Sequence, residues 1–313
     1  MQDELREPFD FAHLCLRHTI RAGWHGLARA GAGRTGLVKS ALGTSLEDHS
    51  DLLNNMEHNK VIRREFSKQA SSFGNKGLTL SSQDILHWSV GLLLLSKDFR
   101  VLDVATGTGH LSRAIAPHVR DVVALDITPK MLDYARKEAA RSNLTNISIQ
   151  EGKAEELPYK SDCFDLVVSR LAIHHFEKPV AQLREMTRVC KPDHRIGVID
   201  LVSPDKKNLA ETYNHLERLR DPSHTIALSK EQMELLLSDV GVIIEKFEMR
   251  DVEVDFQRWV QMTGTKPETV NILKGELLKE ISGGSKTGMR PFVKNGGLKF
   301  LQVWAVVIGM KRA

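Results

Sequence analysis

Apolar residues along the chain fall into alternating strand-like and helix-like stretches from about residue 59 onward. Asn59 to Phe73 carries Val61, Ile62, Phe66, Ala70 and Phe73 at three- and four-residue intervals, which predicts a helix with one apolar face. Ser82 to Leu95 predicts a second helix, capped by Ser81 or Ser82 and with Asp84 in its first turn. Short apolar runs then recur at Val101 to Val104, Val122 to Asp126, Asn146 to Gln150, Cys163 to Ser169 and Gly197 to Leu201, each of strand length. Helical signals separate them: Pro129 behind the cap candidate Thr128, a start near Pro179, then Leu209 to Leu219 and Ser229 to Asp239. Strands alternating with helices predict an α/β fold with a mostly parallel sheet. Val242 to Val254 and Phe300 to Met310 read as two more strands. A helix from about Thr265 to Ile281 and a glycine-rich loop, Ser282 to Ser285, lie between them.

The first of these strands runs into Val-Leu-Asp-Val-Ala-Thr-Gly-Thr-Gly-His-Leu, residues 101–111. Thr106 to Gly109 predicts a tight turn and His110 the start of a helix. Glycine lacks a Cβ, so the backbone at Gly107 and Gly109 can take positive φ and let a ligand lie against the main chain. The free amides of the following helical turn would face that ligand. Ser112 stands where a dinucleotide fingerprint has its third glycine, and Asp103 precedes the turn, which argues against NAD. Asp126 ends the next strand about 20 residues on, where an acid can accept ribose hydroxyls. Strand, glycine turn and helix with two acids at this spacing describe a nucleoside cradle.

On these residues the chain resembles the class I S-adenosyl-L-methionine (SAM) dependent methyltransferases, in particular the family of ubiquinone and menaquinone C-methyltransferases and their small-molecule relatives. The resemblance covers roughly Lys60 to the C-terminus. It implies a Rossmann-like sheet of seven strands, mostly parallel, with an antiparallel C-terminal edge hairpin and helices on both faces. It further implies that Asp103, Ala105, Thr106, Gly107 and Gly109 contact the methionine part of SAM. Asp126, with Ile127 beside it, would hold the ribose, Met131 would lie near the adenine, and Ala154 and Glu155 would read the adenine edge. Ala105 stands where many members have glycine. The helix around Phe66, Phe73 and Gly74 would cover the pocket as a lid.

Composition narrows the setting. The 313 residues carry a formal charge of +4, which by itself is no nucleic-acid footprint. Three cysteines, Cys15, Cys163 and Cys190, have no disulfide or zinc-ligand spacing, so no metal is expected and a reducing compartment is. The longest apolar run, Val90 to Leu95, is far short of the ~20 residues that span a bilayer. Residues 11–46 contain Arg17, Arg21, Arg29, Arg34 and Lys39 with no acid, in the manner of an organelle transit peptide, whereas Asp3, Glu4, Glu7 and Asp10 precede them. Residues 1–57 are therefore set apart as a basic extension and residues 58–313 as the SAM-dependent domain. The expected location is cytoplasmic, or mitochondrial or plastid if the extension is a targeting signal.

Methyl transfer from a sulfonium requires an aligned nucleophile and, for a hydroxyl, a base. His174, His175 and His224 are the imidazoles in suitable loops, and Arg170 could pair with an anionic group. Arg220 to Thr225 reads as a polar loop, a substrate or lid element or an internally bonded Asp-Pro turn, too polar to belong to a core. Ser169-Arg170-Leu171-Ala172 replaces the Pro-Pro-aromatic element of exocyclic amine methylases, and no Pro-Cys nucleophile for cytosine is present. The expected acceptor is a small molecule, methylated at O or C. A SAM-binding protein without methyl transfer and an RNA or protein methyltransferase are the alternatives.

Overall fold

The computed structural model describes residues 56–70 and 82–312. The basic extension up to residue 55, Phe73, Gly74 and the cap candidate Ser81 lie outside the described residues. A helix α1 (56–69) precedes α2 (Gln83–Leu92) and the strand β1 (Arg100–Val104). Then follow α3 (His110–Ile115), β2 (Asp121–Asp126), α4 (Pro129–Arg141), β3 (Ile147–Glu151), β4 (Phe164–Arg170), α5 (Pro179–Val189) and β5 (Cys190–Val202). The chain continues through α6 (Lys207–Arg220), α7 (Lys230–Asp239), β6 (Val242–Asp255), α8 (Phe256–Thr263), α9 (Pro267–Ile281), β7 (Phe292–Lys294) and β8 (Gly297–Lys311).

All eight strands form one sheet, in the order β3-β2-β1-β4-β5-β8-β6 with β7 paired to β8. The first five are parallel to one another, and β8 runs antiparallel to β5, β6 and β7. The seven expected strands and the antiparallel edge are thus present, and the three-residue β7 adds an eighth. From β1 the chain builds outward to β3, then returns to place β4 on the other side of β1. In open α/β sheets the crevice at such a reversal, beyond the strands' carboxyl ends, is where ligands bind.

Alternation along the strands supplies both faces. Val101, Val122, Leu166, Val168, Ile199, Val306 and Ile308 pack under α2 and α3. Leu102, Val104, Val123, Val167, Val198 and Val307 point the other way, against Leu183 and Met186 of α5 and Met233 and Leu237 of α7. A third apolar cluster joins Leu216 of α6, Trp259 and Val260 of α8, Leu273 and Leu277 of α9, and Phe300 and Trp304 of β8.

Several boundaries differ from the sequence reading for visible reasons. β6 and β8 pair along almost their full length, Val242 against Lys311 through Asp255 against Lys299, so both exceed the predicted runs. Helix α8 was not anticipated, although Asp255 caps it by accepting from the Arg258 amide and Gly264 ends it at φ 63°. Thr128 and Ser82 take their N-cap positions without a side-chain capping bond.

Candidate active site

β1 and β2 end side by side, and the turn between β1 and α3 is tied to both. Thr106 and Ser112 donate their hydroxyls to Asp103 Oδ2 at 2.7 and 2.5 Å. The Gly107 amide donates to Asp126 Oδ2 and the Thr128 amide to Asp126 Oδ1, each at 2.8 Å. Gly107 sits at φ 57°, and a Cβ there would meet no atom within 4 Å, because it would project into the open cavity. Gly109, at φ 75°, is glycine for a different reason: a Cβ would stand 3.3 Å from the Ala135 Cβ of α4. It is not among the residues that line the cavity, and its packing against α4 accounts for a glycine at this position. Met131 is fully buried and is not among the residues that line the cavity.

Asp103, Ala105, Thr106, Gly107, Asp126, Ile127, Ala154, Glu155 and Arg170 all line one cavity. Asp103 Oδ1 is buried there with no hydrogen-bond partner. Burial raises its pKa to about 6 against the lowering effect of Ser112, Thr106 and the nearby Arg170 charge. Asp126 is also pushed up by burial, while the Thr128 and Gly107 amides pull it back. Each Asp126 oxygen keeps lone-pair capacity for a further donor. A partnerless acid oxygen, an open backbone at Gly107 and a second acid oriented by two amides fit the methionine and ribose parts of SAM.

The opposite wall descends from β4 and β5. Arg170 lies near both Asp103 and Asp200, with its guanidinium 5.5 Å from the Trp304 ring centre. Burial lowers its pKa to about 10, and the two acids limit the fall. Beyond it, Asp200 Oδ2 accepts the Ala172 and Ile173 amides at 3.2 and 2.7 Å, and Oδ1 accepts the Leu201 amide and a very short bond from His174 Nδ1. A carboxylate can only accept, so His174 carries a proton on Nδ1, leaving Nε2 as the nitrogen not held by Asp200. Burial opposes a charged ring, but the Asp200 charge and hydrogen bond outweigh it and raise the His174 pKa.

His175 packs 4.2 Å from His174 between ring centres. Its Nδ1 donates to the Ser223 carbonyl at 3.0 Å, and burial with the His174 charge lowers its pKa to about 4. His224 is drawn in as well, 5.4 Å from His174, but does not line the cavity. Asn214 Oδ1, which accepts the Ala227 amide, also takes the His224 Nε2 proton at 2.8 Å. Burial holds the His224 pKa far below its ordinary value, and the bond to Asn214 ties the ring to α6.

The segment Arg220 to Thr225 was expected to be too polar for a core, and the structure corrects this: Arg220, Asp221, Ser223 and His224 are all buried. Internal bonding allows it, since Asp221 Oδ1 accepts both the amide and the hydroxyl of Ser223, at 2.9 and 2.5 Å. Arg220 and Asp221 line the cavity with Trp259, Met262, Gln302 and Trp304, residues the sequence reading missed. Helix α1 lines the cavity through His58, Asn59, Ile62, Phe66 and Gln69. His58 Nε2 donates to the His175 carbonyl at 2.7 Å, Asn59 to Glu155 at 2.7 Å and Gln69 to Asp221 at 3.4 Å, and Phe66 meets the His175 ring edge-on at 4.9 Å.

Comparison with known proteins agrees with this geometry. The family model described as a methyltransferase domain matches residues 95–262, more than half of the chain. An uncharacterized methyltransferase, YcgJ of Bacillus subtilis, is 31% identical over 204 residues, covering 64% of this chain and 79% of that protein. Its crystal structure superposes with a TM-score of 0.69 at 26% identity, over 74% of this chain and 100% of that one. A demethylmenaquinone methyltransferase of Listeria monocytogenes is 27% identical over 159 residues, 49% of this chain and 67% of that protein. With a sheet reversed at β1, a glycine turn between two acids and these relatives, the chain belongs to the methyltransferase domain family and is a class I SAM-dependent methyltransferase.

Proposed function

We propose that the protein transfers a methyl group from SAM to an oxygen or carbon atom of a small organic molecule. One observation carries the reading: the partnerless Asp103 Oδ1 beside the open backbone of Gly107 shares a cavity with His174, whose tautomer is set by Asp200. Bound SAM supplies a methyl group on a sulfonium sulfur, open to in-line displacement. Asp103 Oδ1 and Gly107 would hold its methionine part, Asp126 its ribose, and Ala154 and Glu155 its adenine. His174 Nε2 would take the proton of an acceptor hydroxyl or activated carbon, while Asp200 fixes the tautomer and balances the imidazolium. His175, whose pKa is lowered to about 4, stays neutral beside it and offers hydrogen-bonding rather than charge. Five residues of α1 line the cavity, which suits an organic acceptor bound between this helix and the sheet, and the Listeria relative is named as a demethylmenaquinone methyltransferase.

The test is titration calorimetry with SAM, followed by assay of S-adenosylhomocysteine release with phenols, quinone precursors and carboxylic acids as acceptors. Asp126→Ala is expected to weaken SAM binding by roughly 1–3 kcal/mol, the worth of a lost charge-assisted bond. Asp200→Asn should leave SAM affinity intact and lower turnover by about 10²–10⁴, the usual share of an acid–base group. A folded protein that binds neither SAM nor S-adenosylhomocysteine would sink the reading. Binding without turnover on any class would leave a SAM-binding scaffold.

A further inference from the structure

The cavity wall furthest from the glycine turn contains two buried donors without acceptors. Arg220 Nη2 and Trp259 Nε1 have no hydrogen-bond partner, although both residues line the cavity and are over nine-tenths buried, at 9% and 5% exposure. The two are one construction. Arg220 Nε donates to the Trp259 carbonyl at 3.2 Å, its guanidinium carbon lies 5.2 Å from the Trp259 ring centre, and Glu217 stands 3.6 Å from Nη1. Guanidinium and indole N–H groups donate and never accept, so whatever satisfies them must bring acceptor atoms. Beside a cation the stronger acceptor is an anion, and a flat guanidinium edge suits a carboxylate.

Glu217 and Asp221 both feel the Arg220 charge, Glu217 as an ion pair with Nη1, but neither accepts a hydrogen bond from Nη2 or from the indole. Glu217 accepts from Gln302 at 2.8 Å, and Asp221 is occupied by Ser223 and by Gln69 at 3.4 Å. Around the two donors the wall is apolar and aromatic: Trp304, Met262, Val254 and Leu201 line the same space. Arg258, exposed on α8, adds a second cation to that side.

We propose that this wall is the acceptor's anchoring subsite, that the acceptor is an aromatic or apolar carboxylic acid, and that its carboxylate sits on Arg220 Nη2 and Trp259 Nε1. The proposal rests on the methyl-transfer reading and specifies its substrate. An acid held at this end directs the rest of its body along the Trp304 side of the cavity that His174 also lines.

The full chain saturated with S-adenosylhomocysteine is titrated with benzoate, cinnamate and indole-3-acetate, each beside its methyl ester. At least one acid is expected to bind about tenfold or more tightly than its ester, as for loss of one bond to a charged group. Arg220→Gln should abolish that preference while S-adenosylhomocysteine binds as before. Trp259→Phe keeps an aromatic side chain but removes the N–H together with the pyrrole ring, and should reduce the acid preference more than it reduces ester binding, so the result does not hang on the arginine variant folding. Esters binding as well as acids, no acid binding, or a preference that survives both substitutions would overturn the subsite. Failure of S-adenosylhomocysteine to bind the wild-type chain would instead overturn the methyl-transfer reading itself.

Discussion

Asp103 has one oxygen committed to two hydroxyls and the other to nothing, and burial lifts its pKa to about 6. Between the carboxylate's ordinary value and 6 the folded chain keeps a proton that the unfolded chain has released, so the group's contribution to stability falls as pH rises through that window. A cationic ligand group at Oδ1 reverses the preference, because it binds the ionised form. S-adenosylhomocysteine affinity should therefore increase as pH rises toward about 6, with proton release on binding, and level off above it. Calorimetry between about pH 5 and pH 7.5 in buffers of different ionisation enthalpy measures this. Asp103→Asn should flatten the dependence, and an unchanged slope in that variant would assign the titration to another group. Asp103, Gly107 and Asp126 were legible in sequence because their relation is local: strand, turn and strand end. Arg220 was singled out with its loop as a substrate or lid candidate, but Trp259 and its pairing with Arg220 were not legible, because 39 positions separate the two and their meeting depends on how α6 packs against α8. Burial of the Asp221 to Thr225 part of that loop was hidden for another reason: Asp221, His224 and Thr225 find partners within the fold in Ser223, Asn214 and the His174 carbonyl.

Helix α1 shows what an element's periodicity can and cannot say. Its apolar spacing correctly gave a helix, yet the residues that matter at the cavity include the polar ones, His58, Asn59 and Gln69. Asn59 occupies Glu155, the acid expected at the adenine, and Arg63 reaches Glu151 at 3.0 Å across half-exposed side chains. Exposed ion pairs of that kind are worth at most about 1 kcal/mol, and within α1 Ile62 is a lone buried large aliphatic side chain. We expect α1 to open far more readily than the sheet. Amide exchange in 56–69 should be faster than in β4 without ligand and should slow when S-adenosylhomocysteine binds. Exchange as slow as in β4, unaffected by ligand, would make α1 a fixed wall. Two overlooked elements did carry signals. Asp255 and Gly264 bracket α8, and Asn295-Gly296, both at positive φ, turn β7 into β8. Both signals are short, and long strand patterns on either side masked them.

Across the whole molecule the cavity is a seam between two cores. The glycine turn and its acids rest on the parallel strands β1, β2 and β4, whereas Trp259 and Trp304 belong to the cluster built by α6, α8, α9 and β8, and Arg220 packs on Trp259. Leu273 of α9 is buried in the second cluster and does not reach the cavity. Leu273→Ala should cost about 2–5 kcal/mol, the range for a leucine truncated in a packed core, and lower the melting temperature. If the seam separates the two supports energetically, S-adenosylhomocysteine affinity well below that temperature should stay within about twofold of wild type, as for distant independent sites. Binding of an aromatic acid to the loaded protein should weaken instead, since the lost volume lies behind the Trp259 wall. Equal loss of both affinities in a folded variant would mean that the two cores act as one body. The division would then explain how cofactor and acceptor sites can vary separately: a parallel half fixed by nucleoside chemistry, and an antiparallel half whose helices decide what is methylated.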